Sequence, residues 1–251
     1  QAILPRINKK VLTYGFSRQA DIQAQAVHME DFRCAYDVSY KGYNLGSIRM
    51  NVTGRHNILN SLLAVGMGLE LDIPFAAIQA GMAKYSGVYR RFELKGTAGG
   101  ITVYDDYAHH PTEIRATLEG FKDSTPRRIV VLFQPHLYSR TRDLYHEFGN
   151  SFFSCDQLIL APIYPAREEP IPNINSKLIA DVATQSGHHG VICLERNDEI
   201  VAKIMAILKP DDILVTMGAG NVWQYGEEIL TALQKSIDKN SKVEISSNLE
   251  R

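Results

Sequence analysis

Beyond residue 95 the hydrophobic and polar positions settle into one repeating rhythm. Ile101, Val103 and Tyr104 mark a strand over residues 101–105, and Ile114, Thr117, Leu118 and Phe121 fall at helical spacing within 112–122. The same order recurs as strand 128–133 with helix 141–153, strand 157–161 with helix 176–186, strand 190–194 with helix 198–208, and strand 212–216 with helix 222–235. Runs as continuously apolar as Ile129-Val130-Val131-Leu132-Phe133 are strands buried on both faces, and the intervening helices are their crossovers. The pattern predicts an α/β fold: a Rossmann-like, doubly wound, mostly parallel sheet over residues 95–240.

Residues 1–94 read differently. Strands are expected at 11–14, 25–30, 34–40 and 45–52, with a turn at 41–44. Residues 57–71 are apolar on every side, which predicts a buried helix, and Pro74 opens a second helix that runs to Lys84. A domain boundary is expected near residue 94, and residues 241–251 form a polar tail expected to fray. The first residues, Gln-Ala-Ile-Leu-Pro-Arg, lack a signal-peptide pattern and an initial Met, so a processed or excised piece is expected.

Composition narrows the class of function. The net charge is −1, so no global basic field argues for nucleic acid. Cys34, Cys155 and Cys193 are far apart and odd in number, which points to a reducing compartment without a disulfide framework. No run of 18 apolar residues occurs, so no membrane insertion is expected.

Candidate chemistry gathers where strands end. The 101–105 strand ends at Asp105, and Asp106, Tyr107, His109 and His110 follow at once. Pro111 and Thr112 suit the first turn and cap of the next helix. Open α/β sheets bind ligands at the carboxyl ends of their strands. A solvated loop would account for an Asp pair alone, but not so readily for this density of ionisable and aromatic groups. The 128–133 strand ends in Gln134-Pro135-His136-Leu137-Tyr138-Ser139-Arg140. Arg140 can grip a carboxylate or phosphate with two parallel hydrogen bonds, and His136 can donate, accept or take a proton. These are expected to be neighbouring strands, with Tyr107, His109, His136 and Arg140 on one face. Met217-Gly218-Ala219-Gly220-Asn221 is either a phosphate-cradling turn or simply a tight one. His188-His189 lacks ligands at zinc spacing. No P-loop sequence, Gly-x-x-x-x-Gly-Lys-Ser/Thr, occurs in the chain.

Four blocks carry a family resemblance. They are Gly54-Arg55-His56-Asn57-Ile58-Leu59-Asn60, Arg90-Arg91-Phe92-Glu93, Asp105-Asp106-Tyr107-Ala108-His109-His110-Pro111-Thr112-Glu113, and Phe133-Gln134-Pro135-His136-Leu137-Tyr138-Ser139-Arg140-Thr141. In this order they resemble the Mur ligases of peptidoglycan synthesis, a process tied to cell shape and division. The resemblance implies that residues 1–94 are the C-terminal part of a central ATP-binding domain whose P-loop lies upstream. Residues 95–240 would then be the Rossmann-like ligase domain. It implies a cytoplasmic bacterial enzyme that uses ATP and Mg²⁺ to join L-alanine to UDP-N-acetylmuramate through an acyl phosphate. By motif, Asn57, Asn60, Arg91 and Asp106 would bind nucleotide, and Tyr107, His109, His136 and Arg140 would bind the amino-acid substrate. The metal ligands would lie upstream, leaving this chain inactive alone. The family often carries a second cation directly after the His of the Gln-Pro-His block, where this chain has Leu137. A ligase that attaches a murein tripeptide to the same sugar nucleotide, or a non-catalytic nucleotide-binding module, would carry much of the same wording.

Overall fold

The computed structural model describes residues 6–249, with side chains up to residue 237. The leader reading of the first residues and the end of the polar tail lie largely outside that range. The chain divides into two compact units. One is the chain up to Gly87 with Asp123–Thr125; the other is Val88–Lys122 with the chain from Pro126 onward.

In the first unit, β1 (Tyr14–Gly15), β2 (Ile22–Glu30), β3 (Arg33–Tyr40) and β4 (Tyr43–Met50) form a sheet in that order. β1 is parallel to β2 and the other pairs are antiparallel. The strand expected at 11–14 shrinks to two residues, and Thr13 just before it is held to Asp21 beside the start of β2. Its N–H and hydroxyl both donate to the Asp21 carboxylate, at 2.8 and 2.7 Å. Helices α1 (Arg55–Glu70) and α2 (Phe75–Lys84) pack on the sheet. Ile58, Leu62 and Val65 of α1 meet Tyr36, Val38 and Ile48 in one core. The expectation of a helix buried all round is corrected here: Leu63 and Met67 are 47% and 60% exposed. They lie four residues apart, on a flank of α1 that the unit's own sheet does not reach.

In the second unit the elements are β5 (Glu93–Ala98), β6 (Ile101–Asp106), α3 (Pro111–Ser124), β7 (Ile129–Phe133), α4 (Tyr138–Gly149), β8 (Gln157–Leu160), α5 (Lys177–Gln185), β9 (Val191–Cys193), α6 (Ile200–Ile207), β10 (Ile213–Met217) and α7 (Trp223–Leu249). The strand order is β5-β6-β10-β7-β8-β9. All pairs are parallel except β5 with β6. The α/β, mostly parallel sheet read from the sequence is therefore present. β5 was not foreseen, and α7 runs fourteen residues past the expected end at 235.

Alternation along the strands sends side chains to both faces. Val103, Val130, Leu132 and Leu214 share a core with Ile204 of α6 and Ile229 of α7. On the other face Tyr104 packs edge-on against Phe121 of α3, and Phe133 packs against Phe148 of α4 and Phe152. With helices on both faces the sheet is doubly wound. β6 and β7 are not adjacent, contrary to the sequence reading: β10 enters between them. Met217 of β10 pairs with both Asp106 and Phe133, so the three strands end level.

Candidate functional site

β10 feeds α7 on one face, whereas β6 and β7 feed α3 and α4 on the other. Helices that leave neighbouring strand ends toward opposite faces open a crevice between them. The loops after β6 and β7 flank that crevice, and the turn after β10 lies between them.

The loop after β6 is held by its aspartates. Asp105 is fully buried and pairs with Arg90 Nε at 2.8 Å, while its other oxygen accepts from the Thr216 hydroxyl at 2.6 Å. Arg90 also donates to the carbonyls of Gly218 and Gly220, at 2.7 and 3.1 Å. One buried cation thus ties the end of β6 to the turn after β10. The glycines of that turn are explained by packing. A Cβ on Gly218 would sit 2.7 Å from the Gln134 carbonyl, and one on Gly220 2.7 Å from the Tyr164 ring. The tight-turn reading of residues 217–221 accounts for the glycines, and the carbonyls of that turn face Arg90.

Asp106 is 3% exposed. Its oxygens accept from the backbone N–H of Phe92 and of Ala108, at 2.9 and 2.8 Å. Burial pushes its carboxyl up to about 6, against the pull of those two N–H groups and of Arg91. Tyr107 donates its N–H to the Arg90 carbonyl at 2.7 Å. Its ring centroid lies 5.0 Å from the Arg90 guanidinium and 5.7 Å from that of Arg91, within cation–π range.

The structure brings the four expected substrate residues together. The His109 ring is 5.2 Å from Tyr107 and 6.4 Å from His136, centroid to centroid. Arg140, in the first turn of α4, places Nη1 3.5 Å from the His109 carbonyl. No carboxylate pairs with Arg140 among the described residues, so its guanidinium is available to an anion. His136 stacks on Tyr164 at 5.7 Å, and Tyr164 is held by backbone bonds from its N–H to the Pro135 carbonyl and from the Leu137 N–H to its own carbonyl. Burial, then the charges of Arg140 and His109, push the His136 imidazole below its usual range. His136 is therefore neutral near pH 7, and its Nδ1 has no partner among the described residues.

Asn57 and Asn60 belong to the other unit, in the first turns of α1. Asn57 donates its side-chain N–H to the Thr53 carbonyl at 2.7 Å, leaving its oxygen, and Asn60 is exposed. Arg91 is 48% exposed along its side chain and faces Glu113 at 3.6 Å.

Three residues escaped the sequence reading. Arg90 was masked by its twin, Arg91. Glu113 had been read only as part of a helix start. Glu168 lies in the loop after β8 and accepts from the Ser139 N–H at 2.9 Å and from its hydroxyl, fixing the start of α4. Nothing local in the sequence links positions 139 and 168. His188 proves structural: it is buried against Cys155, with Nε2 3.1 Å from the Cys155 carbonyl. No group of three His, Cys, Asp or Glu side chains able to hold a metal ion occurs among the described residues, and no helix among them is long and apolar enough to cross a membrane.

A doubly wound domain with a cationic, His-bearing crevice at its switch point is laid out to bind a small anionic ligand. Comparison with known proteins narrows that class. Residues 90–220 match the Mur ligase, glutamate ligase domain, and residues 1–68 match the Mur ligase middle domain. The chain belongs to the Mur ligase family. It is similar to the UDP-N-acetylmuramate–L-alanine ligase of Trichlorobacter lovleyi, 45% identical over 232 residues that make up 92% of this chain and 51% of the relative. The enzyme of that name from Geobacter sulfurreducens is 44% identical over 235 residues, 93% of this chain and 51% of its own length. The chain thus spans about half the length of the curated relatives it matches. A solved UDP-N-acetylmuramate–alanine ligase from Thermotoga maritima shares the fold, with a TM-score of 0.77 and 23% identity over 90% of this chain and 48% of that one. So does a Thermotoga maritima MurF ligase solved in complex with ADP, with a TM-score of 0.64 and 14% identity over 94% of this chain and 51% of that one.

Proposed function

We propose that this chain works as part of a cytoplasmic, ATP-dependent ligase of bacterial peptidoglycan precursor synthesis, joining L-alanine to UDP-N-acetylmuramate. The observation that supports it most directly is the gathering of Tyr107, His109, His136 and Arg140 around one crevice. The names of the similar ligases point the same way.

The chemistry follows from a simple difficulty. A free carboxylate is a poor acyl donor. Transfer of the γ-phosphoryl group of ATP to a carboxylate oxygen releases ADP and creates a good leaving group. The amino nitrogen of L-alanine then attacks the acyl carbon, the bond from that carbon to the phosphate oxygen breaks, and the nitrogen sheds a proton. In this reading Arg140 grips the L-alanine carboxylate with its planar fork. The neutral imidazole of His136 can take up the proton. Tyr107 and His109 shape the same wall. Asn57 and Asn60 are assigned to adenine and Arg91 to the nucleotide phosphates. Asp106 is assigned to the ribose, for which each of its oxygens, already accepting one backbone N–H, keeps a second lone pair. Mg²⁺ would neutralise phosphate charge; its ligands, like the P-loop, are assigned outside this chain, and no step described here runs through it.

The test compares two preparations. The 251-residue chain alone is expected to hydrolyse no ATP and form no amide, because the phosphate cradle is not in it. The full-length protein is expected to release phosphate only with UDP-N-acetylmuramate and L-alanine together, and to reject a murein tripeptide as acceptor. Amide formation by the isolated chain, or preference for the tripeptide, contradicts the reading.

A further inference from the structure

Glu113 has no role in the assignments above. It sits in the first turn of α3, and its carboxylate lies between two assigned residues. Oε2 accepts the His109 backbone N–H at 3.0 Å and is 3.4 Å from His109 Nδ1. Oε1 is 3.6 Å from Arg91 Nη1. The His109 ring is further defined by Tyr107, whose carbonyl is 2.9 Å from Nδ1. A carbonyl only accepts, so Nδ1 carries a hydrogen toward it and Nε2 is the ring atom left to face a ligand. The His109 carbonyl in turn lies 3.5 Å from Arg140. Arg91, Glu113, His109 and Arg140 thus form one continuous chain of contacts in which Glu113 supplies the only negative charge. Burial alone would raise the Glu113 carboxyl, but the backbone N–H groups of His109 and His110 and the charges of His109 and Arg91 prevail and hold it below its usual range.

We infer that Glu113 is a positioning residue that sets Arg91 and His109 relative to one another, coupling the nucleotide-side cation to the wall that receives the amino-acid substrate. The inference rests on the assignment of Arg91 and His109 given above. Its two arms differ chemically, and that makes them separable. The arm to His109 needs only an acceptor oxygen, whereas the arm to Arg91 needs a charge.

Glu113→Gln keeps an oxygen for the His109 N–H and removes the charge facing Arg91; Glu113→Ala removes both. In the full-length ligase, Glu113→Gln is expected to leave KM for L-alanine within about twofold and to raise KM for ATP about threefold, the scale of a half-exposed ion pair. Glu113→Ala is expected to raise KM for L-alanine about tenfold as well, the scale of a lost charge-assisted hydrogen bond. A purely structural role would instead lower kcat or yield in both variants alike. The ¹⁵N shifts of the His109 ring give a readout independent of turnover. The Tyr107 carbonyl keeps Nδ1 protonated in all three proteins, so the change expected is one of position: the ¹⁵N shifts of the His109 ring and backbone stay close to the unmodified values in Glu113→Gln and are displaced in Glu113→Ala. If the two variants behave alike in both measurements, the inference is overturned. If the unmodified enzyme shows no L-alanine-dependent turnover while the ring shifts separate as stated, the ligase reading fails and the placement of Glu113 stands.

Discussion

The two units build helix-on-sheet cores of unequal completeness. Every residue of β7 and of β10 is buried, because helices cover both faces of that sheet. In β4, by contrast, buried and exposed positions are interleaved, and on α1 Leu63 and Met67 reach solvent. Apolar residues are therefore plentiful in both units, but only the second converts them into a platform, β6, β10 and β7, whose residues are all buried. That platform carries the level strand ends from which the candidate site projects. Site geometry follows from where burial is complete, not from where hydrophobic residues are most numerous.

The sharpest way to break this contrast is a matched pair of truncations. Phe133 is fully buried against Phe148 and Phe152, so Phe133→Ala should cost about 3–5 kcal/mol. Met67→Ser, on the exposed flank of α1, should change stability by no more than about 0.5 kcal/mol. Urea unfolding measures both. Similar values for the two would show that the units do not differ as described.

A smaller effect separates the units by pH. The folded-state carboxyl of Asp106 is raised to about 6 from an ordinary 3.8. The folded protein therefore holds that proton more tightly than the unfolded chain does. The contribution to stability is fully present below the unfolded value, near pH 4, and is lost as pH rises through about 6, an effect on the order of 1–3 kcal/mol. Asp106→Asn should flatten this slope in the second unit's unfolding between pH 4 and 6. An unchanged slope in the variant would remove Asp106 as its cause.

The smallest effect concerns Leu137, which caps α4 with a φ of +75°, a conformation costly for a residue with a branched side chain. Leu137→Gly should stabilise the second unit by about 1 kcal/mol, from relief of that strain. Loss of stability on thermal melting would mean that the side chain's contacts outweigh the strain.

Much of the second unit was legible in its sequence because continuous apolar runs such as residues 129–133 admit few alternatives. β5 was missed for the opposite reason: Glu-Leu-Lys-Gly-Thr-Ala is polar, carries a glycine and is an edge strand with a register shift between Leu94 and Gly96. The insertion of β10 between β6 and β7 was out of reach, since strand order is a matter of long-range pairing that no local pattern records. The same holds for the site. Tyr107, His109, His136 and Arg140 stood out as polar groups at strand ends. The contacts that hold them, Arg90 to Gly218 and Ser139 to Glu168, join positions far apart in the chain. The assignment of Asp106 to nucleotide came from its place in the motif; only the folded backbone reveals two N–H groups aimed at it.

The central claim is that the crevice beside β10 receives the amino-acid substrate, and Arg140 tests it most directly. Leaving a substrate carboxylate unpaired in a closed site should cost on the order of 2–5 kcal/mol. At about 1.4 kcal/mol per tenfold step, kcat/KM for L-alanine should fall roughly 30-fold to several thousand-fold in Arg140→Ala. Arg140→Lys should recover only part of it, since an ammonium cannot reproduce the planar fork. KM for ATP should barely move. Steady-state kinetics of both variants in the full-length enzyme, with each substrate varied in turn, supply the measurement. A rise confined to KM for ATP, with L-alanine kinetics untouched, would contradict the account.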